Sequence, residues 1–353
     1  MRPIEEWIRG NFRVEWVDSA ALRYDEMEHQ APPDLGGVYR PYTPERIDDW
    51  IDLSLVMAYL SALGTTGRIL DIGTGDGWPA LPLAPYVEQV IGIDRSRKRI
   101  ETAEANRARL GIENATFRVA SGDDLPFPDR SFAGVVAGTA IEQIPDPAAC
   151  LREAYRVLEP GGALVATVEH LDGELAGPYA EEVELFPAAD RFLYRYAVKE
   201  RRPPREAEYL IAFDSSPEMA EIAANFPRRP GFTRREGEPG MQPLAGTIAE
   251  TFGLPFLERF RGAVAAARGF ELRHFTAGSL REALDAAGFA RVKIRGPITR
   301  IASRFFIALH EEGLLAMLAP RFAKICRALA QAWDEVPPEG GSLLFVQARK
   351  ETT

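Results

Sequence analysis

Asp71, Gly73, Gly75 and Gly77 stand at alternate positions in the run Arg68-Ile-Leu-Asp-Ile-Gly-Thr-Gly-Asp-Gly77. Glycine accepts positive φ and lets the backbone approach a ligand with no Cβ between them. A buried strand that runs straight into such a turn suggests a nucleotide-type cofactor lying across the ends of a parallel sheet. A second acid, Asp94, ends the next apolar run 23 residues after Asp71. An acid at about that separation can accept hydrogen bonds from ribose hydroxyls. It can also be a helix N-terminal acid favoured by the dipole. For acid–base work the candidates are His170, whose ordinary pKa lies near neutrality, and the carboxylate of Glu142. Each has a plainer reading, His170 as a hydrogen-bonded rim residue and Glu142 as a capping or ion-paired one.

The elements that would position these groups alternate. Strands are expected at Ile69–Ile72, Val90–Asp94, Thr116–Val119, Gly134–Ala137 and Ala163–Val168, with helices at 96–110 and 147–158. Such alternation implies crossovers and a parallel sheet covered on both faces. Before it, Thr43-Pro44-Glu45 reads as a helix start with Thr43 as cap, and Gly64 as its stop. Pro79, Pro82 and Pro85 crowd the segment after the glycine turn, so the helix expected there is delayed or distorted. Beyond His170 the rhythm is lost until about Phe275, and a structureless stretch of that length is improbable in a compact domain. A helix at 279–287 and strands at 290–294 and 342–347 follow, with two helix patterns between 305 and 333.

Taken together, these residues resemble the class I S-adenosylmethionine-dependent methyltransferases. The resemblance is carried by Asp71-x-Gly-x-Gly-x-Gly77, Asp94, Leu125-Pro-Phe-Pro-Asp129, Ile144-Pro-Asp-Pro147 and Arg156-Val-Leu-Glu-Pro-Gly-Gly162, in that order. It covers residues 66–170 well and 279–295 and 342–349 loosely. It implies an α/β, Rossmann-like, doubly wound and mostly parallel seven-stranded sheet. An N-terminal helical segment would precede the sheet, and a largely helical insertion would follow the fifth strand. The implied organisation is an N-terminal lid at 1–65, a core of 66–170 with 276–353, and a substrate-covering insertion at 171–275. The implied cofactor is S-adenosylmethionine, with S-adenosylhomocysteine as product. Its binding residues would be Asp71, Gly73, Thr74, Gly75, Gly77, Asp94, Arg95, Ser121, Gly122, Asp123, Gly138 and Thr139. Asp71 would hold either the glycine loop or the cofactor's ammonium, and Trp78 would close over the cofactor or belong to the core. The methyl group would lie near Glu142 and His170, and Tyr39 and Tyr42 would contribute to the acceptor side or serve only in packing.

There are departures from the family pattern. The acid that often meets the adenine amino group falls on Ser121, with Asp123 and Asp124 coming later, and Glu142-Gln143 stand where relatives often carry histidine.

The whole chain bounds the alternatives. It has 353 residues, a net charge of −10 and two cysteines, Cys150 and Cys326, both in apolar helix-like patterns. Disulfide frameworks and cysteine-rich metal sites are excluded. His29, His274 and His310 show no metal-ligand spacing, so no metal is expected. The acidity argues against a nucleic-acid partner. Absence of a signal-like start and of a run of about 18 apolar residues leads to the expectation of a cytoplasmic protein with no membrane partner, monomeric or homodimeric. The expected reaction is methyl transfer to O, N or C of a small molecule, and the arginines at 201–235 suggest either an anionic acceptor or a solvated face. The competing readings are RNA or protein methylation and a non-catalytic S-adenosylmethionine-binding scaffold. Nicotinamide chemistry is disfavoured because Gly77 follows Gly75 by two, not three.

Overall fold

A computed structural model describes residues 1–20, 22, 42–188, 190–227, 241–333 and 341–352. The chain divides into two compact units, one of Met1–Asp34 with Leu175–His274 and the other of Leu35–Glu174 with Phe275–Thr353.

The second unit carries a seven-stranded sheet. Its order across the sheet is Ala290–Arg295, Leu343–Arg349, Leu158–Glu169, Phe132–Gly138, Arg68–Ile72, Gln89–Asp94 and Ala115–Val119. The five strands from Leu158–Glu169 to Ala115–Val119 are parallel, and the other two are antiparallel. Arg68–Ile72 lies between Phe132–Gly138 and Gln89–Asp94, so the order reverses direction there. That is the switch point outside which open α/β sheets bind ligands. Ile69, Leu70, Ile72, Val135, Val136 and Val165 are all buried, as expected of strands covered on both faces.

Helix Ile47–Leu63 packs on this sheet through Trp50, Val56 and Tyr59 and ends at Gly64 with φ +64°. It begins after Arg46, not after Thr43 as the sequence suggested. The Thr43 N–H donates to Asp49 Oδ2 at 2.9 Å, so the carboxylate inside the helix caps the preceding turn. The proline-crowded segment after the glycine turn is a four-residue helix, Ala80–Leu83, followed by a 3₁₀ turn at Ala84–Tyr86, as proline in a helix interior requires.

The first unit corrects an expectation. The 171–275 stretch is not largely helical. It supplies Tyr179–Ala188, Arg191–Arg201, Pro204–Asp214 and Val264–Arg273, an antiparallel meander with the two-residue strands Glu15–Trp16 and Gln242–Pro243 at its edges. Tyr194, Tyr196, Val198, Tyr209, Ile211 and Phe213 form one cluster with Ile4 and Ile8 of helix Pro3–Asn11 and with Met219, Phe252 and Phe256 from short helices. The period of two is masked because the opposite face is mixed: Glu184, Arg195, Glu206 and Glu208 share it with Phe186, Leu193 and Leu210, which form a second apolar cluster with Phe270 and Leu272.

Candidate cofactor and acceptor site

The glycine bend is held from both sides. Thr74 N–H donates to Ile93 O at 2.9 Å and Gly77 N–H to Thr74 O at 2.8 Å, which ties the bend to the neighbouring strand. Asn106 Nδ2 donates to Asp76 O at 3.0 Å, and Arg99 pairs with the Asp76 carboxylate at 3.1 Å. Gly73 has φ +69°, and a Cβ there would meet Ala140 Cβ at 2.3 Å. Gly75 has φ +54° with nothing within 4 Å of a built Cβ. The first glycine is therefore demanded by packing, and the second leaves open space beside exposed backbone.

Asp94 ends its strand with Oδ2 accepting from Gly75 N–H and Oδ1 from Ser96 N–H, both at 2.9 Å. Ser96 in turn caps helix Arg97–Arg109 by accepting from Arg99 N–H. Asp94 thus stands at the entry to helix Arg97–Arg109, the helix-terminal reading, and beside the glycine bend. Asp71 is fully buried, with Oδ2 accepting from Ala80 N–H at 3.1 Å. Asp71 Oδ1 and Thr74 Oγ1 are buried without a partner of good hydrogen-bond geometry among the described residues, although the Thr74 hydroxyl still favours the ionised Asp71 carboxyl. Burial pushes the Asp71 carboxyl well above the ordinary carboxylate range.

The next loop carries Ser121, whose hydroxyl donates to Asp123, and Gly122, where a Cβ would meet Ile144 Cδ1 at 2.6 Å and Ile72 Cγ2 at 2.7 Å. Sequence reasoning gave Arg156 no role, and the structure gives it a large one. Its guanidinium donates to Leu125 O and Phe127 O at 3.0 and 2.8 Å, and to Glu153 and Asp129. Glu153 also accepts from Leu125 N–H at 2.9 Å. One half-buried fork thus fixes the 125–129 turn. The only signal was Arg156's place at the head of the Pro-Gly-Gly segment.

At the ends of the fourth and fifth strands, Thr139 has φ +51° and its N–H donates to Thr167 O at 2.8 Å. A left-handed threonine is a strained conformation of the kind that concentrates at ligand sites. Tyr59, wholly buried, donates from its hydroxyl toward Ala137 O and accepts from Thr167 N–H, both at 3.1 Å. Trp78 belongs to the core: a Cβ on Gly138 would meet its ring at 2.5 Å, and it packs edge-on against Tyr59. Glu142 is buried, with Oε1 accepting from Glu169 N–H at 2.9 Å. His170 is buried and its Nδ1 lies 3.1 Å from Gly341 O. Donation by Nδ1–H to that carbonyl leaves Nε2 as the nitrogen with a lone pair.

Arg95 is exposed. Tyr42 is half-buried against the cluster around Trp50, and burial, reinforced by Asp52, pushes its hydroxyl pKa up. Tyr39 lies outside the described residues, as do Arg228, Arg229, Arg234 and Arg235. In the antiparallel unit, Arg205 is bonded to Glu5 and Glu200.

Residues 70–166 match the family model described as a methyltransferase domain. They are a class I methyltransferase domain. The cofactor such a domain implies is S-adenosylmethionine, and the residues present fit it. The carboxylates of Asp71 and Asp94 and the hydroxyl of Thr74 stand on or beside a glycine bend whose second glycine leaves open space.

An uncharacterized methyltransferase of Bacillus subtilis is 37% identical over 103 residues, covering 29% of this chain and 40% of that protein. A ubiquinone/menaquinone biosynthesis C-methyltransferase of Desulfotalea psychrophila is 34% identical over 173 residues, 47% of this chain and 65% of the relative. The chain thus spans 36–40% of the length of the first curated relatives it matches. A solved S-adenosylmethionine-dependent methyltransferase of Clostridium acetobutylicum superposes with a TM-score of 0.50 at 10% identity, over 94% of this chain and 97% of that one. It shares the fold.

Proposed function

We propose that the protein transfers a methyl group from S-adenosylmethionine to O, N or C of a small-molecule acceptor by in-line displacement. The observation that carries this reading is the bend at 73–77 joined to Asp94 through the Gly75 amide, at the switch point of the sheet. When bound, S-adenosylmethionine supplies a methyl group already activated on a sulfonium, so the protein contributes alignment and exclusion of water.

Asp94 is the acceptor for ribose hydroxyls. Asp71 and Thr74 offer the orphaned oxygens to the amino-acid end, and Gly73, Gly75 and Gly77 allow the backbone approach. Ser121, Gly122 and Asp123 line the base, on a turn held by Arg156. Gly138, Thr139 and Arg95 complete the rim. Where the acceptor must lose a proton, His170 Nε2 is the base, held in that tautomer by Gly341 O. Glu142 fixes the end of the strand that carries His170. Tyr39 and Tyr42 are proposed to lie on the acceptor side. The quinone-pathway name of one relative supports a small-molecule acceptor.

Calorimetry with S-adenosylmethionine, S-adenosylhomocysteine and NADH tests the cofactor. Binding of NADH with neither methyl compound bound at high micromolar concentration would overturn the reading. Turnover of labelled methyl donor with a metabolite extract tests the chemistry.

A further inference from the structure

Helix Thr299–Glu311 and the short helix Leu315–Leu318, joined at Gly313 with φ +68°, cover the second unit through one face only. Ala302 and Phe306 are fully buried, and Phe306 and Phe322 both pack against Trp50, with ring centroids 5.0 and 4.6 Å apart. The solvent side of this segment interleaves apolar side chains with the basic Arg300 and Arg304. Ile301 and Phe305, one helical turn apart, are 39% and 43% exposed. Ile307, Leu314 and Met317 are 43%, 42% and 72% exposed. Five of the nine large exposed apolar side chains reported for the described residues thus fall within 17 consecutive positions. Such a concentration exceeds the scatter of single exposed apolar residues expected on any surface and marks an interaction site.

Charge decides what it meets. Between Thr299 and Arg327 stand five basic residues, Arg300, Arg304, Arg321, Lys324 and Arg327, against two acids, Glu311 and Glu312, in a chain of net charge −10. A second copy docking through this face would form an isologous contact, laying the basic segment against itself. A surface on which exposed apolar side chains alternate with basic ones is complementary instead to an anionic lipid interface. There, buried apolar area and attraction to acidic headgroups add.

We propose that the 299–327 helical hairpin docks on the surface of an anionic lipid bilayer, with Ile301, Phe305, Leu314 and Met317 entering the headgroup boundary. No helix among the described residues is long and apolar enough to cross a membrane, so the contact is peripheral. The sequence-level expectation of no membrane partner rested on the lack of a span, a criterion that does not test surface docking. The proposal is independent of the methyl acceptor, because its readout is lipid binding.

The test floats the full chain with phosphatidylcholine vesicles and with vesicles containing phosphatidylglycerol, at low and high salt. The expected result is flotation with the anionic vesicles alone, reversed by salt. The double variant Phe305→Ser/Met317→Ser, and separately Arg304→Glu/Lys324→Glu, should each weaken vesicle binding at least about tenfold. Because all four residues are exposed, thermal unfolding should be unchanged. Failure to float with either vesicle, or binding unaffected by both variants, would overturn the proposal. So would a dimer in sedimentation equilibrium that Phe305→Ser dissolves, which would assign the face to a second copy.

Discussion

The two units bury acids in opposite ways. In the antiparallel unit, Glu5 and Glu208 are fully buried and each meets an arginine fork. Arg205 reaches both oxygens of Glu5 at 3.1 and 2.6 Å, and Arg195 both oxygens of Glu208 at 2.7 and 3.0 Å. In the parallel unit, Asp71 is equally buried, yet its recorded partner is one backbone N–H, and one oxygen is left over. Asp94 likewise turns to backbone amides. A buried carboxylate that is neutralised inside the protein serves the fold, because its hydrogen-bonding capacity is already used. One that meets no cation is, on the function proposed above, a candidate to hold a ligand.

That contrast can be broken most severely at Glu5. Glu5→Ala leaves Arg205 without its main partner and should destabilise the antiparallel unit by about 3–5 kcal/mol. Faster hydrogen exchange should be confined to peptides of 1–20 and 175–274, with S-adenosylmethionine affinity unchanged. Loss of cofactor affinity in this variant would show that the division between structural and ligand-holding acids is wrong.

Acidity gives the next largest effect, with two signs in one unit. Hydrogen bonds from Arg205 hold Glu5 below the ordinary carboxylate range despite its burial. Its contribution is therefore present above the unfolded pKa and lost as pH falls through the folded one. Glu184 is the reverse: burial raises it from 4.5 to about 7, opposed by Arg195 and assisted by Glu208. The folded unit then holds more protons than the unfolded one between those values, and stability falls as pH rises through that window. Denaturant titrations across it should show a loss of about 2–3 kcal/mol, which Glu184→Gln removes. An unchanged slope in that variant would dismiss Glu184 as the source.

In the parallel unit, Asp94→Ala should cost about 1–3 kcal/mol of cofactor affinity by calorimetry. Exchange protection of the antiparallel unit should not change. An unaltered affinity would contradict the ribose assignment. The smallest effect is expected at Arg156→Lys, which keeps the charge but loses the fork that spans two carbonyls and two carboxylates. Affinity for S-adenosylmethionine should drop by about 1 kcal/mol. A variant that binds normally would show that the 125–129 turn holds its shape without this fork.

Sequence alone determined most of the parallel unit. Ile69, Leu70 and Ile72 followed by Gly73 and Gly75 encode a strand and its bend locally. Ser96 and Asp146 cap their helices within three residues. Such signals act over short separations, where the chain's own geometry dictates the outcome. Tertiary structure alone decided the rest. Glu5 and Arg205 are 200 positions apart, and Asp49, not Thr43, sets the start of its helix region. The meander at 179–273 hid its alternation because some of its charged residues point into paired, buried surroundings. A local pattern reads such residues as solvated, since the partner that neutralises a buried charge is chosen by packing and not by neighbours in sequence.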